Sequence, residues 1–217
     1  KGLKPVYWCP HDETALAEAE IEYKDIDCTS IYVKFKIKDD LGKLTGLDLD
    51  KTYFVIWTTT TWTLPGNLAI AVHPREKYVA VKAANGETYI LADSTMKAAG
   101  IDEYERIAEY KGRDFEFMKA RHPFLDRDSL LVLADYVTMD SGPGCVHTAP
   151  GFGADDYVTC RRYNIDIIVP VDDRGFQTAD AGKFAGMYYE DSNDAILEDM
   201  KNSGALLATA QVAHSYP

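Results

Sequence analysis

Five threonine hydroxyls fall in the seven residues from Trp57 to Thr63, at Thr58, Thr59, Thr60, Thr61 and Thr63. Leu64-Pro65-Gly66-Asn67 closes the run. A hydroxyl donates one hydrogen bond and accepts others without carrying charge, so a hydroxyl-rich segment can line a pocket for a polar ligand. Threonine is also an ordinary strand residue, but four in a row between two tryptophans call for partners on both faces. A second stretch, Gly144-Cys145-Val146-His147-Thr148-Ala149-Pro150-Gly151-Phe152-Gly153-Ala154-Asp155-Asp156-Tyr157, supplies an imidazole and two carboxylates within ten residues. Threonine hydroxyls, one imidazole and one carboxylate in a shared pocket would suit a small substrate with an ammonium group and an ester or amide oxygen. GxSxG, HExxH, the Walker A loop and paired CxxC are absent, which removes the commonest serine-hydrolase, zincin, P-loop and zinc-ribbon chemistries.

The elements around these residues read mainly as strands. Tyr53-Phe54-Val55-Ile56 is a buried strand feeding the threonines, and alternation would send Thr58 and Thr60 to one face and Thr59 and Thr61 to the other. From Ser30 the period is strictly two, with Ile31, Val33, Phe35 and Ile37 opposite Tyr32, Lys34, Lys36 and Lys38. Tyr78–Val81 and Thr88–Leu91 flank Asn85-Gly86, a hairpin signal. Further strands are expected at Ala15–Tyr23, Leu68–His73, Tyr104–Tyr110, Phe115–Lys119, Leu130–Val137 and Ile165–Val171. Helices are expected at 94–99 before Gly100, at 154–163 with Asp155 and Asp156 in the first turn, and at 193–202 with Ser192 as N-cap and Gly204 as stop. About ten strands against two or three helices predict a mainly β fold, a barrel with peripheral helices.

The chain has 217 residues, 23 basic and 35 acidic, for a formal charge of −12. That balance disfavours wholesale attraction to a polyanion. Contacts to a nucleic acid would be local, through Lys34, Lys36 and Lys38 or through Arg161 and Arg162, although solvated strand or helix faces are the better explanation of both groups. No apolar run approaches the roughly 20 residues of a membrane span, and nothing near the start has the layout of a signal peptide. Cys9, Cys28, Cys145 and Cys160 lack disulfide or metal spacing and read as thiols of a reducing cytoplasm. Cys9 with His11 gives only two of the four ligands zinc needs. Both ends of the chain read as cut from something larger.

The stretches WTTTTWTLPGN at 57–67, GCVHTAPGFGADDY at 144–157, TALAEAEIEY at 14–23 and the final HSYP resemble the inserted editing domain of isoleucyl-tRNA synthetase. Valyl and leucyl editing domains carry an Arg in this motif, of the form TTRPxT, where this chain has Thr-Thr-Trp-Thr. Two departures stand out: Thr61 replaces the family's usual Pro, and a second cysteine near Cys9, part of a zinc site outside the editing core, is missing. The resemblance implies a single editing domain over 1–217, with 1–20 and 205–217 as connecting segments toward a synthetic core and a barrel of the type shared by the Val, Ile and Leu enzymes. It implies hydrolytic proofreading: deacylation of valyl-tRNA(Ile), and of valyl-adenylate, with exclusion of isoleucine.

Carried over by motif position, Asp156, Thr58, Thr59 and His147 form the catalytic set. Thr58, Thr59, Thr60, Thr63, Asn67, His147 and Asp156 form the substrate-binding set, with Asp156 on the α-ammonium. The resemblance implies no metal and no cofactor. The expected partners are the aminoacylated 3′ end of tRNA(Ile), its valine moiety and the rest of the synthetase, for a monomeric, cytoplasmic protein off the membrane. Two alternatives remain at this level: a non-catalytic module that binds nucleotides or tRNA ends, and a valyl-type editor that clears threonine.

Overall fold

The computed structural model describes residues 4–139 and 142–216. Lys1–Leu3, Asp140, Ser141 and Pro217 lie outside it, and with them the outermost residues of both expected connecting segments. Among the described residues the chain opens with a hairpin of β1 (Tyr7–Cys9) and β2 (Thr14–Leu16). It continues through β3 (Lys24–Asp39), β4 (Thr52–Thr58), β5 (Ala69–Val72), β6 (Lys77–Ala83), β7 (Thr88–Ala92), β8 (Tyr104–Lys111), β9 (Lys119–Arg121), β10 (Asp128–Leu133) and β11 (Cys145–Thr148). Helix α1 (Ala154–Arg162), helix α2 (Tyr189–Ser203) and β12 (Leu206–Tyr216) complete it.

Six strands close on themselves in the order β3-β9-β10-β5-β11-β4, because β4 pairs back onto β3. The expected mainly β fold with a barrel core and peripheral helices is therefore present. The alternation in β3 sets which residues fill it: Ile31, Val33, Phe35 and Ile37 are at most 2% exposed and meet Phe54, Ile56, Ile70, Val72 and Leu131 inside. Each such side chain contributes about 1.5–3 kcal/mol by leaving water. A wing of β7, β6 and β8 extends from β4, and its residues Val79, Val81, Tyr89 and Leu91 form a second cluster that covers Tyr32 on the outer face of β3. The first half of β3 runs beyond the barrel as a two-stranded ribbon with β12, from Lys24 opposite Tyr216 to Ile31 opposite Thr209.

Several expected elements differ. Only Ala15 and Leu16 of the Ala15–Tyr23 run lie in a strand, β2, and Glu18–Glu20 form a 3-10 turn in which the Ala17 N–H donates to Glu20 Oε2. Phe115–Lys119 is not a strand: Phe115 ends a 3-10 turn with its ring edge-on to Phe54 and Tyr78, and Phe117 at φ 67° breaks any ladder before β9. Ala134–Val137, beyond β10, is a turn. Residues 93–95 are 3-10 rather than α-helical, although Gly100 does take the left-handed conformation at φ 72°. Ile165–Val171 is extended but joins the structure by a single bridge, Val171 to Gln177, and Val169 is half exposed. Val169 and Val171 belong to a cleft wall, while Ile165 packs against a core cluster. Helix α2 starts four residues early, so Ser192 is buried within it and donates to the Tyr189 carbonyl instead of capping, while Gly204 terminates it at φ 74° as expected.

Candidate functional site

Strand β4 ends at Thr58, and the chain leaves the sheet there, so strand alternation does not govern the threonines. The Thr60 N–H donates to Thr58 Oγ1 at 3.0 Å, a hydroxyl turn that redirects the backbone into a 3-10 segment over Thr61–Gly66. As a result Thr58, Thr59, Thr60, Thr61 and Thr63 all face one cleft of about 1110 Å³. A short turn with poor internal hydrogen bonding needs outside partners for its carbonyls, and it has them. His122 Nε2 donates to Leu64 O at 2.8 Å and Arg127 Nη1 to Pro65 O at 2.7 Å. His122 is 5% exposed, and burial holds its imidazole down at about 3, so it is a neutral structural donor. Gly66 lets the Phe152 ring lie on the turn, since a Cβ there would come within 2.7 Å of that ring.

His147 enters from β11, opposite Ile70 on β5. Its two nitrogens are both engaged: Nε2 lies 3.0 Å from Thr63 Oγ1 and Nδ1 lies 2.8 Å from Asn67 Nδ2. The chain of bonds decides the tautomer. Asn67 Nδ2 also meets the Ala69 carbonyl at 2.9 Å, and Ser129 Oγ donates to Asn67 Oδ1, so the amide must present its NH₂ to the ring. Nδ1 therefore accepts and Nε2–H donates to Thr63, whose hydroxyl passes its own proton to the Thr60 carbonyl at 2.8 Å. Burial pushes the imidazole down to about 4, so it stays neutral at physiological pH. Asn67, read as a cleft residue from its motif, is fully buried and stands behind His147 instead of facing the cleft.

Asp156 occupies the third position of α1, after Gly153. Its Oδ2 accepts the Ala149 N–H at 2.9 Å, folding the carboxylate back over the turn that joins β11 to the helix. Gly153 is required sterically, because a Cβ there would sit 2.8 Å from the Asp156 carboxylate. Desolvation raises the carboxyl to about 6, against the lowering effect of the Ala149 bond, with Asp155 adding a smaller upward push. Asp155 itself is exposed, so only one of the paired aspartates reaches the cleft.

Six of the seven residues singled out in the sequence, Thr58, Thr59, Thr60, Thr63, His147 and Asp156, thus line one cleft. Sequence reading missed the opposite wall. Trp62 lies edge-on between Phe152 and Tyr189, with ring centroids 4.9 Å away on each side, and Tyr189 and Asn193 bring α2 to the cleft. The N-terminal hairpin closes the far end, where Trp8 Nε1 donates to the Asp173 carbonyl at 2.7 Å. Asn193, a poor helix former within α2, was the one signal available for that wall. No three histidine, cysteine or acidic side chains come together as metal ligands among the described residues, and no helix there is long and apolar enough to cross a membrane.

The closed six-stranded barrel with peripheral helices is the fold of aminoacyl-tRNA synthetase editing domains. The chain belongs to that family: the family described as leucyl-tRNA synthetase, editing domain, matches residues 31–205. Over its whole length the chain is 53% identical to isoleucine–tRNA ligase of Thermoanaerobacter sp. (strain X514) and 54% identical to that of Caldicellulosiruptor saccharolyticus. It spans about a quarter of those ligases, 24% in each case. The isoleucyl resemblance read from the motifs is borne out by these relatives. Among solved structures, the crystal structure of GlLeuRS-CP1 superposes with a TM-score of 0.66 over 83% of this chain and 99% of that one, at 16% identity. The Plasmodium knowlesi cytosolic leucyl-tRNA synthetase editing domain ("P.knowlesi") gives 0.64 over 88% of this chain and 98% of that one, at 9% identity. At those identities they share the fold.

Proposed function

We propose that this chain deacylates valyl-tRNA(Ile) and spares isoleucyl-tRNA(Ile), acting as an editing domain within a larger synthetase. The observation that carries the reading is the Asp156 carboxylate, desolvated, tied down through Oδ2 and facing a hydroxyl-lined cleft. An α-ammonium is the ligand that such a group favours, through a charge-assisted bond on its other oxygen. At about 1110 Å³ the cleft is slightly larger than the usual small-molecule site, room for an aminoacyl group with its terminal adenosine.

In this mechanism a water attacks the ester carbonyl carbon, the bond to the ribose oxygen breaks, and the proton ends on that oxygen. Valine and a free tRNA end are released. Thr58, Thr59 and Thr60 with nearby backbone N–H groups stabilise the oxyanion, and the adenosine's free ribose hydroxyl assists. His147 has no nitrogen left for proton transfer, so its part is to form, with Thr63, a rigid wall that sets how large an amino acid fits. Such a sieve is needed because a synthetic pocket gains only about 1–3 kcal/mol from one methylene, a limit for which isoleucine against valine is the standard worked case. The tRNA end, valine and the remaining synthetase are the partners in this reading, in the cytoplasm and as a monomer. Residues 1–20 and 205–217 are the segments leading to the synthetic core.

The test is deacylation of valyl-tRNA(Ile) beside isoleucyl-tRNA(Ile) and threonyl-tRNA(Val) by this chain at high concentration. Selective loss of valine is expected. Preferential loss of threonine would make it a valyl-type editor, and binding of a non-hydrolysable valyl-adenosine analogue without turnover of any ester would make it a binding module.

A further inference from the structure

Trp62 sits in the middle of the threonine turn, and both polar groups of its peptide are taken by side chains far away in sequence. Its N–H donates to Asn193 Oδ1 at 2.9 Å, and its carbonyl accepts from Gln177 Nε2 at 3.0 Å. The two holders are chemically opposite, one an acceptor and one a donor. Neither amide can be reversed: turning Asn193 would aim its NH₂ at an N–H, and turning Gln177 would aim its oxygen at a carbonyl. Gln177 Nε2 also donates to Ser192 Oγ at 3.1 Å, whose own proton goes to the Tyr189 carbonyl at 2.7 Å. The cost of this orientation is visible. Gln177 is 2% exposed, and its Oε1 finds no hydrogen-bond partner among the described residues. Buried polar groups are rarely left so, and here the orphan follows from committing the NH₂ to Trp62 and Ser192.

We infer that Asn193 and Gln177 are positioning residues: by gripping both sides of the Trp62 peptide they fix the threonine turn against α2 and so set the width of the amino-acid pocket. This rests on the editing function proposed above and names residues that reading does not contain. The geometry reaches the pocket in two ways. Thr63, the residue after Trp62, carries the bonds to His147 and to the Thr60 carbonyl, and the Trp62 ring packs against Phe152 and Tyr189 in the cleft wall. Loosening the peptide lets the turn and the ring shift together, which widens the sieve without touching Asp156.

Asn193→Ala and Gln177→Glu, compared with Asn193→Asp, test this on the intact chain. Alanine is the best helix former, so Asn193→Ala keeps α2, and Tm and circular dichroism check the fold. Asn193→Ala is expected to narrow the ratio of valyl to isoleucyl kcat/KM by about tenfold or more, since misplacement near 1 Å costs on that scale. Asn193→Asp, which keeps an acceptor for the Trp62 N–H, is expected to restore the ratio. Gln177→Glu, which puts an acceptor against the Trp62 carbonyl, is expected to fail like Asn193→Ala. Hydrogen exchange at the Trp62 amide is expected to quicken in Asn193→Ala and to recover in Asn193→Asp. A folded Asn193→Ala variant with wild-type discrimination overturns the inference and leaves the editing function standing. A wild-type chain that cleaves no ester overturns both.

Discussion

Two titratable groups that face the threonines in the cleft, His147 and Asp156, lie nine residues apart and are treated in opposite ways. His147 is the middle of a closed chain, Ser129 to Asn67 to His147 to Thr63 to Thr60, in which every donor has its acceptor. Its ionisation is pushed out of the physiological range. Asp156 has one backbone bond and is raised to about 6, close to working pH. A satisfied network gives shape, whereas a desolvated carboxylate with an oxygen to spare holds its charge ready for a cation. The proposed function gives size selection to the first and ligand charge to the second.

The sharpest way to break the comparison is to remove each group. Asp156→Ala is expected to lower deacylation of valyl-tRNA(Ile) by about 100-fold or more, as loss of a charge-assisted anchor in a positioned site would. Unchanged hydrolysis would take Asp156 out of the site. His147→Ala is expected to act on selectivity, admitting isoleucine with about a tenfold poorer ratio. It also leaves Asn67 Nδ2 one acceptor short and should cost roughly 1–3 kcal/mol in a denaturant titration. If the variant still ignores isoleucyl-tRNA(Ile), the size limit is set elsewhere.

Charge gives a subtler separation. Binding of a non-hydrolysable valyl-adenosine analogue should weaken as pH falls through about 6, where Asp156 takes up its proton. No second step should come from His147, which stays neutral down to about 4. A flat profile from pH 5 to 8 would mean that the ammonium is not read by this carboxylate. The smallest effect is on stability. Because the folded-state pKa of Asp156 is raised, the native state binds its proton more tightly than the unfolded chain does. The group is therefore costless below about 4, and its cost grows as pH rises to about 6 and persists above. Asp156→Asn should raise Tm by a few degrees at pH 7, about 1 kcal/mol after solvent screening, and change nothing at pH 4. A lower Tm at pH 7 would show that the charge is stabilised in the empty cleft.

The site was more legible in the sequence than the fold around it. Threonines in series and a glycine-flanked His followed by Asp stand out because so many polar side chains in short stretches call for partners that a strand or a turn alone does not supply. Alternation also announced β3, since a barrel wall buries one face. A barrel was expected, but which strands close it was not legible, because pairing of β3 with both β4 and β9 is decided by twist and register between distant segments. The apolar run Ile165–Val171 misled for a related reason: hydrophobicity does not distinguish a core strand from the wall of a cleft. That Asn67 holds His147 from behind was not legible, because its bonds to Ser129 and His147 span 62 and 80 residues. Gln177, an ordinary polar residue among turns, carried no signal at all.

The ribbon of β3 and β12 sets an order of folding. Lys24 and Tyr216 are paired across 192 positions, so bringing them together costs more chain entropy than closing β3 onto β4, where Lys36 meets Tyr53. During synthesis the first half of β3 must wait, as an open edge, until β12 has emerged. Lys24, Asp25 and Asp27 mark that waiting edge with charge, which keeps it from pairing with the wrong strand before β12 arrives.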